Sequence, residues 1–409
     1  MLVLTTLLVL AAVVKVRCLS NGLAMTPPMG WDSWNMFGEQ INETLVRQTM
    51  DAMEKFGLRN AGFVYINLDD GWQHYRANRT DKPLEADPVK FPSGIKALAE
   101  YAHSRGFKLG LYGAPGQTTC SGFTGSEGKE KEDAALYASW GVDHLKYDSC
   151  CSHMFATKAQ VQKVILDMST ALMNQTHPIV YHACHCGWQD VWEWAAVEGA
   201  NHWRIGQDIS DDFNYPGLRD GYYYDVLDMI DRGNNITKYS GPGHWNDYDM
   251  LIVNLNGKST QLVGTGASNT EYRTHFSLWC MVASPLLIGS DVRYMDNYTV
   301  ETLTNKEMIA INQDPLGNAA VKVADAYNGT LQSYAKNISD GSIAVALINR
   351  GTETVIMGTM PLIKDWNLSW PTYRLRDLWQ HKDFGTLNST YWVEVMSHET
   401  KVYQMWQVK

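Results

Sequence analysis

Residues 129–150 read "KEKEDAALYASWGVDHLKYDSC". The first part, 129–141, carries a helical pattern, and "VDHLKYD" (142–148) reads as a strand that ends on charged residues. Lys146 and Asp148, two apart, share one face of that strand because successive strand side chains alternate sides. A helix feeding directly into a strand is one unit of a βα series. Whether the series repeats along the chain decides the fold.

It does repeat, in both directions. Upstream lie "FKLGLYG" (107–113), "FVYINLDDGW" (63–72) and "MGWDSW" (29–34); downstream lie "PIVYHAC" (178–184), "HWRIGQDI" (202–209), "HWNDYDML" (244–251) and "SPLLIGSD" (284–291). Helical patterns separate most of them. "SGIKALAEYAHSRG" (93–106) places Ile95, Leu98, Ala99 and Ala102 on one face, with Ser93 as the expected cap and Gly106 as the stop. "KAQVQKVILDMSTALM" (158–173) is a further helix. Strict alternation implies a parallel sheet, and eight strands predict an α/β fold of the (β/α)₈ TIM-barrel type. A doubly wound open sheet is the competing architecture, but no G-x-G-x-x-G follows the first strand.

After "INQDPLG" (311–317) the texture changes. "LQSYAKNISDGSIAVALINRGTETVIMG" (331–358) alternates in period two between turn residues, which predicts a small C-terminal antiparallel β-sandwich domain. The expected organisation is a signal peptide over 1–18, a catalytic barrel over 19–318 and the β domain over 319–409.

In a barrel of this kind the C-terminal strand tips converge on one mouth, where the chemistry is done. The tips here supply Trp34, Asp69, Asp70, Tyr112, Lys146, Asp148, the run from His182 to His185, Arg204, Asp208, Asp247 and Asp249. A ring of carboxylates, one lysine, one arginine and aromatics suits a polyhydroxylated ligand, and a pair of carboxylates suits acid–base work on a glycosidic bond. The ammonium of Lys146 is expected to keep Asp148 ionised, as a nucleophile requires. Asp208 is expected in a looser, partly apolar loop setting that suits a proton donor. Singly, an aspartate at a strand end is more often a turn former or helix cap; the phase with the strand ends sets these apart. "HACHC" (182–186) has the residue types of a zinc cluster, although cysteines in a secreted chain are more commonly bridged or buried.

The compartment is read from the first residues. "LVLTTLLVLAAVV" (2–14) is an uncharged apolar run, too short to span a bilayer and the right length for a signal-peptide core. No later stretch reads as a membrane helix. Nine N-x-[ST] sequons, at Asn42, Asn78, Asn174, Asn235, Asn297, Asn328, Asn337, Asn367 and Asn388, fit the secretory pathway, with an extracellular or lysosomal destination. A net charge of −10 argues against nucleic acid as a partner.

Seven ordered blocks, "NGLAMTPPMGWDSWN", "INLDDGW", "ADPVKFPSGIKALAEYAHSRGFKLGLY", "LKYDSC", "WRIGQD", "PGHWNDYDM" and "INQDPLG", resemble the α-galactosidase/α-N-acetylgalactosaminidase family, glycoside hydrolase family 27. The resemblance implies a retaining exo-glycosidase that removes terminal α-linked galactose from oligosaccharides or glycoconjugates, without metal or organic cofactor, and a homodimer. It assigns Asp148 as nucleophile and Asp208 as acid/base. It places Trp34, Asp69, Asp70, Tyr112, Lys146, His185 and Arg204 around the sugar, and pairs Cys120 with Cys150. The family's cysteine near the second strand is absent, since Gly71 stands there. After the fifth strand, His185 and Cys186 replace the usual residues in a short loop near the sugar's C2 position. α-N-Acetylgalactosaminidase is therefore the alternative on the same scaffold. A galactose-binding protein without turnover and a zinc hydrolase using His182, Cys184, His185 and Cys186 are the readings from other classes.

Overall fold

The computed structural model describes residues 21–74, 82–150, 157–214, 223–359 and 372–408. The expected signal segment, Asn78, Cys151 and Asn367 lie outside the described residues. Among the described residues no helix is long and apolar enough to cross a membrane.

All eight expected strands form. They are β1 (Met29–Asp32), β2 (Tyr65–Asn67), β3 (Lys108–Gly113), β4 (His144–Asp148), β5 (Val180–Cys184), β6 (His202–Arg204), β7 (Trp245–Asp247) and β8 (Leu286–Ile288). They hydrogen-bond in parallel in the order β8-β1-β2-β3-β4-β5-β6-β7. Leu251, just beyond β7, bridges to Ile288 of β8, and its N–H donates to the carbonyl of Leu287 at 2.7 Å, which closes the sheet into a cylinder. Closure leaves no sheet edge open.

The helices cover the cylinder for the reasons their sequences give. In Gly94–Ser104 the stripe Ile95, Leu98, Ala99 and Ala102 is buried; a fully buried Ile or Leu contributes about 1.5–3 kcal/mol. Ser93 does not cap this helix. Its backbone is already αR (φ −84°, ψ −11°), and its N–H donates instead to Glu43 Oε2 at 3.1 Å. Lys158–Met173 starts with a capping box, in which Thr157 and Gln160 each accept from the other's backbone N–H.

From Val321 the chain is antiparallel β. The strands are β9 (Val321–Ala326), β10 (Leu331–Asn337), β11 (Ile343–Asn349), β12 (Val355–Gly358), β13 (Tyr373–Asp377), β14 (Lys382–Leu387), β15 (Trp392–Val395) and β16 (Thr400–Gln407). One sheet runs β9-β10-β11-β16-β13-β14, and β12 pairs with β15. β11, "IAVALIN", is buried along its whole length. Val345 and Leu347 fill this domain's own core, while Ala344, Ala346 and Ile348 pack with the barrel's core. Polar bonds fix the docking: Glu307 accepts two bonds from Arg376 at 2.7 and 2.8 Å, and Trp379 Nε1 donates to Ser277 Oγ at 3.0 Å.

Candidate active site

A cavity of about 480 Å³ opens at the strand tips. Tyr112, Lys146 and Asp148 line it from β3 and β4, Trp34, Asp69 and Asp70 from just beyond β1 and β2, and Thr118, Thr119, Cys120, Cys150, Gln207, Asp208, Tyr223 and Met250 from the segments that follow the later strands. A wider hollow of about 810 Å³ beside the helix Glu43–Lys55 lies away from the tips and brings together none of these groups.

Asp148 ends β4 at the wall of this cavity. Tyr112 Oη donates to its Oδ2 at 3.1 Å, and the N–H of Cys150 donates to its Oδ1 at 2.8 Å. Cys150 holds a positive φ of 49° and is bridged to Cys120. The bridge pins the turn whose amide faces the carboxylate. Cys186 is also disulfide-bonded, whereas Cys184 and Cys280 are free and buried.

The electrostatics differ from those expected from β4 alone. Lys146 Nζ bonds Asp69 Oδ2 at 2.7 Å, across two strands, with both groups buried. Burial opposes its charge, yet surrounding acidic groups, Asp69 foremost, hold the ammonium's pKa well above the usual value. Burial raises the pKa of Asp148; Lys146 pulls it back down and Asp208 pushes it further up. The lysine therefore moderates the carboxylate without overcoming its desolvation.

Asp208 also departs from expectation. Arg204 Nη2 reaches its Oδ1 at 3.1 Å, and the carboxylate is 43 % exposed, so its surroundings are polar and wet. Arg204 itself is buried beneath the cavity, with Nη2 also on Asp249 Oδ2 at 2.9 Å and on the carbonyl of Gln207 at 2.6 Å. Asp249 additionally accepts from the N–H of Ile209 at 2.8 Å, so one buried carboxylate ties the arginine to the loop that carries Asp208. A two-residue ladder joins Asp208–Ile209 to Tyr223–Tyr224.

Asp70 accepts from the N–H of Ser121 at 2.9 Å through Oδ2, while its buried Oδ1 has no hydrogen-bond partner. Burial pushes its pKa up to about 6.

His185 is not brought to the cavity. It is fully buried, its Nδ1 meets Ser149 Oγ at 2.5 Å, and burial lowers its pKa to about 4. With Cys186 bridged and Cys184 a free thiol, the "HACHC" run does not assemble as one metal cluster. Thr118, Thr119, Gln207, Tyr223 and Met250 line the cavity without having been expected there. They sit on loops, where no periodicity marks them; only Gln207, next to Asp208, and Met250, next to Asp249, carried a local signal.

Comparison with known proteins adds the following. The family described as "Alpha galactosidase A" matches residues 26–314, and the "Alpha galactosidase C-terminal beta sandwich domain" matches 328–405. An alpha-galactosidase of Cyamopsis tetragonoloba is 40 % identical over 392 residues, covering 94 % of this chain and 87 % of that protein. The crystal structure of alpha-galactosidase I from Mortierella vinacea superposes with a TM-score of 0.87 at 33 % identity, over 94 % of this chain and 98 % of that one. A Saccharomyces cerevisiae alpha-galactosidase solved with raffinose gives a TM-score of 0.85 at 28 % identity, over 95 % and 99 %.

Proposed function

The chain belongs to glycoside hydrolase family 27 and is an α-galactoside-hydrolysing enzyme; from that premise we propose that it releases terminal α-linked galactose by double displacement, with Asp148 as nucleophile and Asp208 as acid/base. The observation that carries the reading is that both carboxylates line one cavity of sugar size, rimmed by aromatic, cationic and acidic groups.

In the first step an Asp148 oxygen bonds to the anomeric carbon as the glycosidic C–O bond breaks, and the Asp208 proton passes to the leaving oxygen. In the second, Asp208 takes a proton from water, whose oxygen attacks the anomeric carbon and releases Asp148. The Tyr112 hydroxyl, the Cys150 amide and the Lys146 ammonium favour the ionised nucleophile that burial alone disfavours. Asp69, Asp70 and Lys146 supply acceptors and a donor for galactose hydroxyls, and Trp34 and Tyr112 supply apolar walls. Arg204 acts from beneath, through Asp208 and Asp249.

Oligosaccharides of the raffinose kind and galactose-terminated glycoconjugates are the proposed substrates; neither nucleic acid nor membrane lipid enters the reading. All seven sequons within the described residues, at Asn42, Asn174, Asn235, Asn297, Asn328, Asn337 and Asn388, are exposed, which supports a secreted or lysosomal glycoprotein. A homodimer is part of the same proposal.

Proton NMR of the first-formed product tests the mechanism. Early α-galactose supports retention, and early β-galactose means that water attacks directly. Paired aryl α-galactoside and α-N-acetylgalactosaminide substrates test the sugar. Faster hydrolysis of the acetamido sugar would overturn the galactose assignment.

A further inference from the structure

Below the sugar cavity the inside of the cylinder is polar. Strand alternation turns His144, His182 and His202 inward on the neighbouring strands β4, β5 and β6, with His182 directly opposite His202 in the ladder. All three are at most 3 % exposed. His144 Nε2 and His202 Nε2 share a hydrogen bond of 2.9 Å, which an ion would replace; the His182 and His202 rings stack with centroids 4.0 Å apart, and one nitrogen from each ring falls within 4.8 Å of the other two.

These imidazoles are poorly satisfied by protein. His144 Nδ1 and both nitrogens of His182 have no hydrogen-bond partner. His182 Nε2 is 3.3 Å from Asp247 Oδ2 but off the hydrogen-bonding direction. Buried polar atoms are nearly always paired, so unpartnered nitrogens on two adjacent rings point to a missing partner, and an ion would take one nitrogen from each ring. His202 is the ordered member. Its Nδ1 faces Asp247 Oδ2 at 3.0 Å, which makes Nδ1 the protonated nitrogen and leaves the Nε2 lone pair aimed at the cluster. A carboxylate behind the far nitrogen of an imidazole is the usual support of a histidine metal ligand.

We propose that His144, His182 and His202 form a buried structural site for a divalent transition-metal ion of the zinc class, with Asp247 orienting His202 from behind. Three neutral nitrogen donors favour zinc, cobalt or nickel over the oxygen-seeking calcium and magnesium. Two cations stand near the rings, Lys146 paired with Asp69 at 2.7 Å and Arg204 paired with Asp249 at 2.9 Å, and Asp247 is a carboxylate that contacts His202 and His182 directly. His182 must swing out of its stack to reach the common centre, and neither of its nitrogens has a hydrogen bond to give up. The three histidines are not among the residues lining the sugar cavity. The ion ties together three strands and does no chemistry on the sugar.

The test uses the full chain refolded with Co²⁺ as the only added divalent ion, then passed over a chelating resin. One retained cobalt per chain, visible d–d absorption, and a melting temperature several degrees above the same chain refolded in chelator are expected. His144→Leu loses the cobalt and the temperature gain. His103→Gln, which breaks an exposed cluster of His103 and His177 on Asp143, keeps both. No retained cobalt, equal melting temperatures, or cobalt lost in His103→Gln but kept in His144→Leu would each overturn the site. If His144→Leu does not fold, the cobalt content and spectrum of the unaltered chain decide.

Discussion

Lys146 and Asp69 form a buried ion pair, Nζ to Oδ2 at 2.7 Å, so the lysine is bonded across the barrel and not to Asp148, its neighbour on β4. Lys146→Met leaves Asp69 without its partner. Breaking such a pair from one side costs about 3–5 kcal/mol of stability. It also removes the cation that, after burial, acts most strongly on Asp148 and lowers its pKa, so the acid limb of the kcat–pH profile moves to higher pH. A profile unchanged in position would show that Lys146 does not act on the nucleophile.

Tyr112→Phe deletes the hydroxyl that donates to Asp148 Oδ2 and keeps the ring that walls the cavity. A hydrogen bond to a charged group contributes about 1.5–3 kcal/mol, so kcat/KM should fall about 10- to 150-fold with the fold intact. Steady-state kinetics alongside circular dichroism check this.

Asp249 is a positioning residue, holding Arg204 and the Ile209 amide beside Asp208. Asp249→Ala should lower kcat more than it changes KM, because the loop carrying the proton donor loses both anchors. Asp249→Asn, which keeps an acceptor for Ile209, should recover part of the rate. Equal kcat in both variants and the parent would remove Asp249 from this role.

Three buried carboxyls, Asp70, Asp211 and Asp249, have their pKa raised by burial to about 6. The folded state therefore binds protons more tightly than the unfolded chain, in which aspartate titrates near ~3.9. Their contribution to stability is fully present below that unfolded value and is lost as pH rises toward about 6. Buried histidines oppose this trend, because burial lowers the pKa of His185 to about 4 and of His275 to about 3. The carboxyl effect is therefore read by difference: the melting temperature of the parent relative to Asp211→Asn should rise as pH is lowered from neutral to about 5. Differential scanning fluorimetry across that range tests the sign.

The fold was legible because its signal is periodic. Short apolar runs alternating with helical patterns located all eight barrel strands, period two located the C-terminal β domain, and the stripe Ile95, Leu98, Ala99, Ala102 located a helix face. The strand-tip members of the site, Asp69, Asp70, Lys146 and Asp148, followed from phase alone. What stayed hidden depends on through-space neighbours. Nothing local announces that Lys146 bonds Asp69 and not Asp148, that Asp208 meets Arg204, or that Ser93 is already αR and leaves its helix uncapped. Likewise Gln207 and Tyr223 reach the cavity through a loop ladder that no sequence period encodes.

Azide rescue tests the central assignment most directly, with an activated aryl α-galactoside as substrate. Asp148→Gly should be inactive alone and, with azide, should yield β-galactosyl azide, because the anion enters from the face the nucleophile has vacated. Asp208→Gly should yield α-galactosyl azide, because the galactosyl-enzyme still forms on Asp148. The same anomer from both variants, or full activity of Asp148→Gly without azide, would contradict the account.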